Sequence, residues 1–243
     1  MSTLVKQAFT RIVLPVAAIL LLMIGLGLLF THVLEHDWPF TVEDGVNRYF
    51  ATHRTPDETG VSWWFSFIGN TSSVIVVTAV MAVVLRLTLH RWREPIFLCL
   101  VVIAQALVFF FTTLVIDRPR PDVQRLDASP PTSSFPSGHT SAAFALYVGL
   151  AVLLASLARP GWLKALCWLL VLMPVAVAFG RLYRGMHHPS DVLSSFLNGT
   201  LCLIVMTRGV LSPRVPWKIS KVGSWSPSTS PAAGAHPTGT AAS

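Results

Sequence analysis

Three observations predict an all-α fold, a bundle of six transmembrane helices with short interfacial helices between the first span and the second. Of the 243 residues, 53% are hydrophobic and only 12% charged, against roughly 25% charged in an ordinary soluble domain. The mean hydropathy of +0.61 means that most apolar surface is solvated by lipid rather than hidden in one core. Six stretches, roughly 12–34, 72–89, 95–116, 138–157, 161–180 and 190–210, reach the length of about 20 apolar residues that crosses the hydrocarbon core.

The first stretch is too long for the apolar region of a signal peptide, and its end at His32-Val33-Leu34 lacks an A-x-A-like cleavage site. It reads as a retained anchor. The segment 35–71 carries Trp38, Phe40, Trp63, Trp64 and Phe65 among polar residues, the composition of short helices lying in the headgroup layer. Residues 1–221 therefore form one membrane domain. The tail 222–243, rich in Ser, Pro, Gly, Thr and Ala, is expected to be disordered. Cys99, Cys167 and Cys202 all sit in apolar runs without metal-ligand spacing and read as buried thiols.

An even number of spans puts both termini on one side, and the charges choose which. Eleven of the 18 Lys and Arg, from Lys6 and Arg11 to Lys218 and Lys221, fall on the terminal side, with Glu94 as its single acid. That side is expected to be cytoplasmic, in a multi-pass plasma-membrane protein. The formal charge of +7 is thus accounted for by sorting across a bilayer, without a nucleic acid partner.

The opposite side holds three polar clusters in two loops: Asp117-Arg118-Pro119-Arg120-Pro121-Asp122, then Pro136-Ser137-Gly138-His139, then Arg181 through His187-His188-Pro189-Ser190-Asp191. Pro136 to His139 opens a helix, where Ser137 can cap, free backbone N–H groups favour an anion, and Gly138 lets an oxyanion approach. His139 at its mouth is suited to donate a proton to a leaving oxygen. Pro189 suits the first turn of the sixth span, which places Asp191 one turn from His187. A carboxylate there fixes the imidazole tautomer and frees the other ring nitrogen as a nucleophile. Arg120 and Arg181 supply planar forks that match phosphate oxygens.

On these residues the sequence resembles the type 2 phosphatidic acid phosphatase family, whose motif runs Lys, six residues, Arg-Pro; Pro-Ser-Gly-His; and Ser-Arg, five residues, His, three residues, Asp. Arg120-Pro121, Pro136 to His139, Arg181, His187 and Asp191 match at that spacing, within residues 113–191. Thr113 stands where the family has Lys, and Gly180 where it has Ser. Arg118 is the candidate substitute for the missing positive charge.

The resemblance implies a phosphatase without metal or other cofactor, acting through a phosphohistidine. His187 would be the nucleophile, oriented by Asp191, and His139 the acid and then the base. Arg120, Arg181, Ser137 and Gly138 would hold phosphate oxygens, with Arg118 beside them. The implied substrate is a lipid phosphate or diphosphate in the outer leaflet, met at an extracytoplasmic site. Undecaprenyl diphosphate is the first choice, with phosphatidic acid and phosphatidylglycerophosphate as alternatives. A lipid phosphotransferase or a non-catalytic lipid-binding relative would carry the same motif. A vanadium-dependent haloperoxidase would be soluble, and a transporter would place ionisable residues at mid-bilayer depth.

Overall fold

The computed structural model describes residues 3–128 and 132–212; the tail 222–243 lies outside them, as do Arg214, Lys218 and Lys221. Among the described residues six helices are long and apolar enough to cross a membrane: α1 (Val5–Val33), α4 (Thr71–Leu89), α5 (Arg93–Val115), α6 (Gly138–Leu157), α7 (Gly161–Tyr183) and α8 (Pro189–Leu211). Two shorter helices, α2 (Glu43–Thr52) and α3 (Pro56–Ile68), fill the connection between α1 and α4. The chain is thus an all-helical, multi-pass membrane protein. The expected spans are all present, α1 beginning some residues before the purely apolar run.

Local chemistry sets the helix starts. Thr55 caps α3, its hydroxyl accepting from the Glu58 N–H at 3.3 Å, with Pro56 at the first helical position. Asn70 caps α4 by accepting from the Ser72 N–H at 3.2 Å. At the far end of α8 the Arg93 side chain donates to the Val210 carbonyl at 2.9 Å and to that of Leu211. A cation is favoured there by the helix dipole.

The apolar core runs between α1, α5, α6 and α8, where Met23, Phe97, Leu98, Val101, Leu146 and Met206 are fully enclosed. α6 is the central helix, with 67% of its most apolar window buried, against 17% for α1 and α4, which face lipid. The first and last spans meet at their terminal ends, a Cβ on Gly209 coming within 3.0 Å of Ile12. Cys202 is buried in this core, whereas Cys99 and Cys167 are only partly covered; both lie on helix faces that the apolar sequence alone did not distinguish from the interior.

α3 is amphipathic in the sense a membrane surface requires. Ser62, Ser66 and Gly69 face the protein, while Trp63, Trp64 and Phe67 are exposed, Trp63 stacked on Phe67 and Trp64 edge-on to both. The small face lets α7 come very close: a Cβ on Gly180 would stand 3.0 Å from the Phe65 Cβ and 3.2 Å from the Ser62 carbonyl. Gly180, where the motif has Ser, is therefore a point of close backbone approach between α3 and α7.

Candidate active site

The site is built where α6 and α8 begin side by side. Ser137 is the N-cap of α6, and its hydroxyl accepts from the Thr140 N–H at 3.5 Å. Pro136 precedes the cap rather than occupying the first turn, which belongs to Gly138 and His139. The Ser137 N–H donates to Ser195 Oγ at 2.8 Å, and that hydroxyl donates to the Asp191 carbonyl at 2.7 Å. This stitch fixes two helix N-termini together, so their dipoles reinforce one positive potential. Gly138 lies under the Phe109 ring, which a Cβ would meet at 2.8 Å.

His187 is buried in the turn before α8, its ring held from one side. Its Nδ1 lies 2.7 Å from the Ser134 carbonyl oxygen. Because a carbonyl only accepts, Nδ1 carries the proton and Nε2 keeps its lone pair. Asp191 is close, at 3.8 Å from Nδ1, but its Oδ2 accepts from the His188 N–H at 2.8 Å. The direct hydrogen bond expected between Asp191 and His187 is thus made by Ser134 instead, with the carboxylate beside it. Burial pushes the His187 imidazole down to about 4; the neighbouring Asp191 opposes this, and the charges of Arg181 and Arg120 add to it. At neutral pH the ring is the free base.

His188, the neighbouring imidazole, points elsewhere. Its Nε2 faces the Pro119 carbonyl at 3.2 Å and its Nδ1 lies 3.4 Å from Asp44.

Two arginines bring unpaired donors to the site. Arg120 spends Nη1 on the Met186 carbonyl at 2.7 Å and Nη2 on that of Ser133 at 3.4 Å. Arg181 donates from Nη1 to Ser66 Oγ at 2.6 Å and to Asp127 Oδ2 at 2.7 Å. The Nε of each is buried without a protein acceptor among the described residues. Buried guanidinium donors without partners are uncommon and costly, which suits a place where an anion supplies the acceptor. Burial, followed by the charge of Arg125, lowers the Arg120 guanidinium below its ordinary range. His139, half-buried on the first turn of α6, lies within electrostatic reach of Arg181, His187, Asp127 and Arg120. The three clusters therefore meet in one place.

Arg118 stands elsewhere. Its Nη1 donates to Asp191 Oδ1 at 2.6 Å and to Ser190 Oγ at 2.7 Å, and its Nη2 donates to Glu43 Oε2 at 2.9 Å. With both ends of the fork held by carboxylates behind the histidine, it braces Asp191 rather than replacing the charge missing at Thr113. The Thr113 hydroxyl is turned back onto its own helix, donating to the Phe110 carbonyl at 2.8 Å.

Four further residues belong to the site's framework and were not singled out in the sequence: Glu43, Asn47, Asp127 and Ser134. Asp127 bridges Arg181 and Arg184, accepting from Arg184 Nη2 at 2.6 Å and Nε at 2.9 Å. Burial alone would raise its carboxyl, but the hydrogen bonds and charges of the two arginines outweigh burial and pull it below its usual range. Ser134 works through its backbone, which no side-chain pattern marks. The Ser62-Ser66 spacing on α3 was the available signal for the arginine-holding face, since Ser62 accepts from Arg184 at 3.0 Å and Ser66 from Arg181.

No curated protein matches the chain significantly. Among solved structures, a transmembrane PAP2 type phosphatidylglycerolphosphate phosphatase from Bacillus subtilis superposes with a TM-score of 0.68 at 21% identity, covering 79% of this chain and 94% of its own. LpxE from Aquifex aeolicus gives 0.57 at 23% identity, covering 70% of this chain and 97% of its own. At these identities the likeness is one of fold. Residues 94–213, the segment that contains the three motif clusters of the site, match the PAP2 superfamily.

Proposed function

We propose that the protein is an integral membrane lipid phosphatase that removes a phosphate from a lipid phosphate or diphosphate through a phosphohistidine. The observation that carries this reading is the state of His187: a neutral imidazole, its Nδ1 proton committed to the Ser134 carbonyl, its Nε2 free, and unpaired Arg120 and Arg181 donors nearby. Nε2 attacks phosphorus in line as the bond to the leaving oxygen breaks, and His139 delivers a proton to that oxygen. The ring becomes cationic as the P–N bond forms, and the Asp191 carboxylate, 3.8 Å away, stabilises it. Arg120, Arg181, Ser137 and the Gly138 N–H hold the equatorial oxygens, the electrostatic part of phosphoryl transfer. His139 then takes a proton from water as it displaces His187 from phosphorus.

Guanidinium groups and helix N-termini supply the positive charge in this mechanism, so it runs without a metal. The sorting of Lys and Arg toward the terminal side supports an extracytoplasmic site, at the level of outer-leaflet headgroups. Undecaprenyl diphosphate remains the first choice of substrate, because recycling of that carrier needs a site on that face, with phosphatidic acid and phosphatidylglycerophosphate next.

The test is phosphate release by the purified protein in detergent with EDTA, from each of these three lipids, beside His187→Ala. We expect release from at least one lipid and a loss on the order of 10³-fold or more in the variant. Their ranking names the substrate. Release that survives in His187→Ala overturns the phosphohistidine mechanism, and no release from any of the three overturns the phosphatase reading; transfer to a second lipid acceptor would then be measured as the phosphotransferase alternative.

A further inference from the structure

Behind the groups assigned to phosphate lies a second layer of buried charge, supplied by the interfacial helix α2. Glu43 and Asn47 occupy one face of α2, one turn apart, and both are buried. Glu43 Oε1 accepts from the Ser190 N–H at 2.8 Å, and Oε2 accepts from Ser190 Oγ at 2.9 Å and from Arg118 Nη2 at 2.9 Å. Arg118 carries the chain onward to Asp191 Oδ1 at 2.6 Å. Asn47 donates to the His187 carbonyl at 3.1 Å and to that of Leu182 at 3.3 Å. One turn of α2 therefore holds the backbone of the nucleophile's turn and, through Arg118, the carboxylate beside its ring.

Stability alone does not account for a buried carboxylate, guanidinium, carboxylate row. Desolvating such ions is expensive, and apolar residues of similar volume pack at least as favourably. What the row secures is a single position for Asp191. Without Glu43, Arg118 would keep its pairing with Asp191 but lose the anchor on Nη2 that fixes its own rotamer.

We infer that Glu43 is a positioning residue for the nucleophile, acting through Arg118 on Asp191 and so on the imidazole of His187. The inference rests on the phosphohistidine reading, and its test separates the two. Phosphate release from dioctanoyl phosphatidic acid in detergent is compared for the full-length parent, Glu43→Gln, Glu43→Asp, Asp191→Asn and Glu43→Gln with Asp191→Asn. Thermal unfolding of each variant is followed in parallel. Glu43→Gln is expected to lower kcat by about 10- to 100-fold, the usual range for a group that orients a catalytic ligand, with KM changed less than about 3-fold. Glu43→Asp keeps the charge and should recover part of that kcat. On the Asp191→Asn background the same Glu43 change should cost less than about 2-fold, since coupled residues are not additive. Parent-like kcat in Glu43→Gln, or losses that multiply in the double variant, overturns the inference. Should Glu43→Gln not fold, parent-like kcat in Glu43→Asp overturns it equally.

A readout independent of turnover is the 15N spectrum of labelled histidine. The parent should show His187 as the Nδ1–H tautomer that Ser134 fixes, and the folded Glu43→Gln variant the same tautomer with a shifted Nδ1 signal as the Asp191 carboxylate, 3.8 Å away, moves; an unchanged His187 signal overturns the inference. A parent that hydrolyses no lipid defeats the phosphatase reading, while the 15N comparison still decides whether Glu43 positions His187.

Discussion

The two ends of the bundle are both rich in arginine, yet they use it in opposite ways. At the site end Arg118, Arg181 and Arg184 are 4–8% exposed and locked to Glu43, Asp191 and Asp127. At the terminal end Arg91 pairs with Glu94 but its side chain is 57% exposed, and Arg86 lies on the Trp92 ring at 5.0 Å. An exposed arginine at a membrane surface needs only water and lipid phosphates, and its contribution is to orientation. A buried one demands partners, so Arg118, Arg181 and Arg184 each draw a carboxylate and a hydroxyl into place. The same contrast separates α4 from α6. Their hydropathies are 2.2 and 2.0, nearly equal, while 17% and 67% of their apolar windows are buried. Hydropathy reports that a helix crosses the membrane, and the polar groups at its end decide whether it faces lipid or protein.

The sharpest way to break this contrast is Arg118→Ala. It leaves Glu43 and Asp191 as facing buried carboxylates, and removing one partner of such a pair costs about 3–5 kcal/mol. Denaturation in detergent should show that loss together with a kcat reduced at least as much as in Glu43→Gln. A pH profile asks the same question of the imidazole. With His187 held down to about 4, it is unprotonated and competent above that value, and activity is lost as pH falls through it. The acid limb of kcat/KM, which reports the free enzyme, should therefore lie near about 4 rather than at the ordinary histidine value of about 6.5. A limb near the ordinary value would mean that the ring is solvated. Asp191→Asn removes the group that opposes the downward shift, so its limb should move lower still.

Gly180→Ser, which restores the residue the motif carries, sharpens the packing side of the comparison. The added Cβ must push α3 outward from the Phe65 and Ser62 contacts; a loss of about 1–3 kcal/mol is expected, with Arg181 displaced and KM raised. The smallest effect belongs to the terminal end. Arg91→Ala should change stability by less than about 0.5 kcal/mol and leave turnover as in the parent; a larger change would erase the distinction between the two ends.

What could be read from the sequence was whatever is written locally. The spans follow from apolar runs, the start of α8 from Pro189, the α6 cap from Ser137, and the nearness of His187 to Asp191 from their four-residue spacing across the start of α8. The second layer could not be read this way. Asn47 and the His187 carbonyl are 140 residues apart, and Glu43 in a headgroup-level helix looks like any solvated acid until α2 is folded onto α8. Arg118 was misassigned for the same reason: its place two residues before Arg120 suggested a shared target, whereas the turn between them sends one side chain toward Asp191 and the other toward Met186. Ser134 acts through its carbonyl, which carries no residue-type signature at all.

The placement of α2 has one more consequence. Its inward face grips the turn of His187, while Val42, Val46 and Tyr49 on its outer side, with Trp38 just before it, are exposed apolar groups that take their level from the lipid surface. On the phosphatase reading, the nucleophile and the scissile phosphate are both referenced to one plane, that of the headgroups. The bilayer itself then serves as the ruler for the reaction, and a lipid reaches attacking distance by sliding sideways rather than by being lifted out.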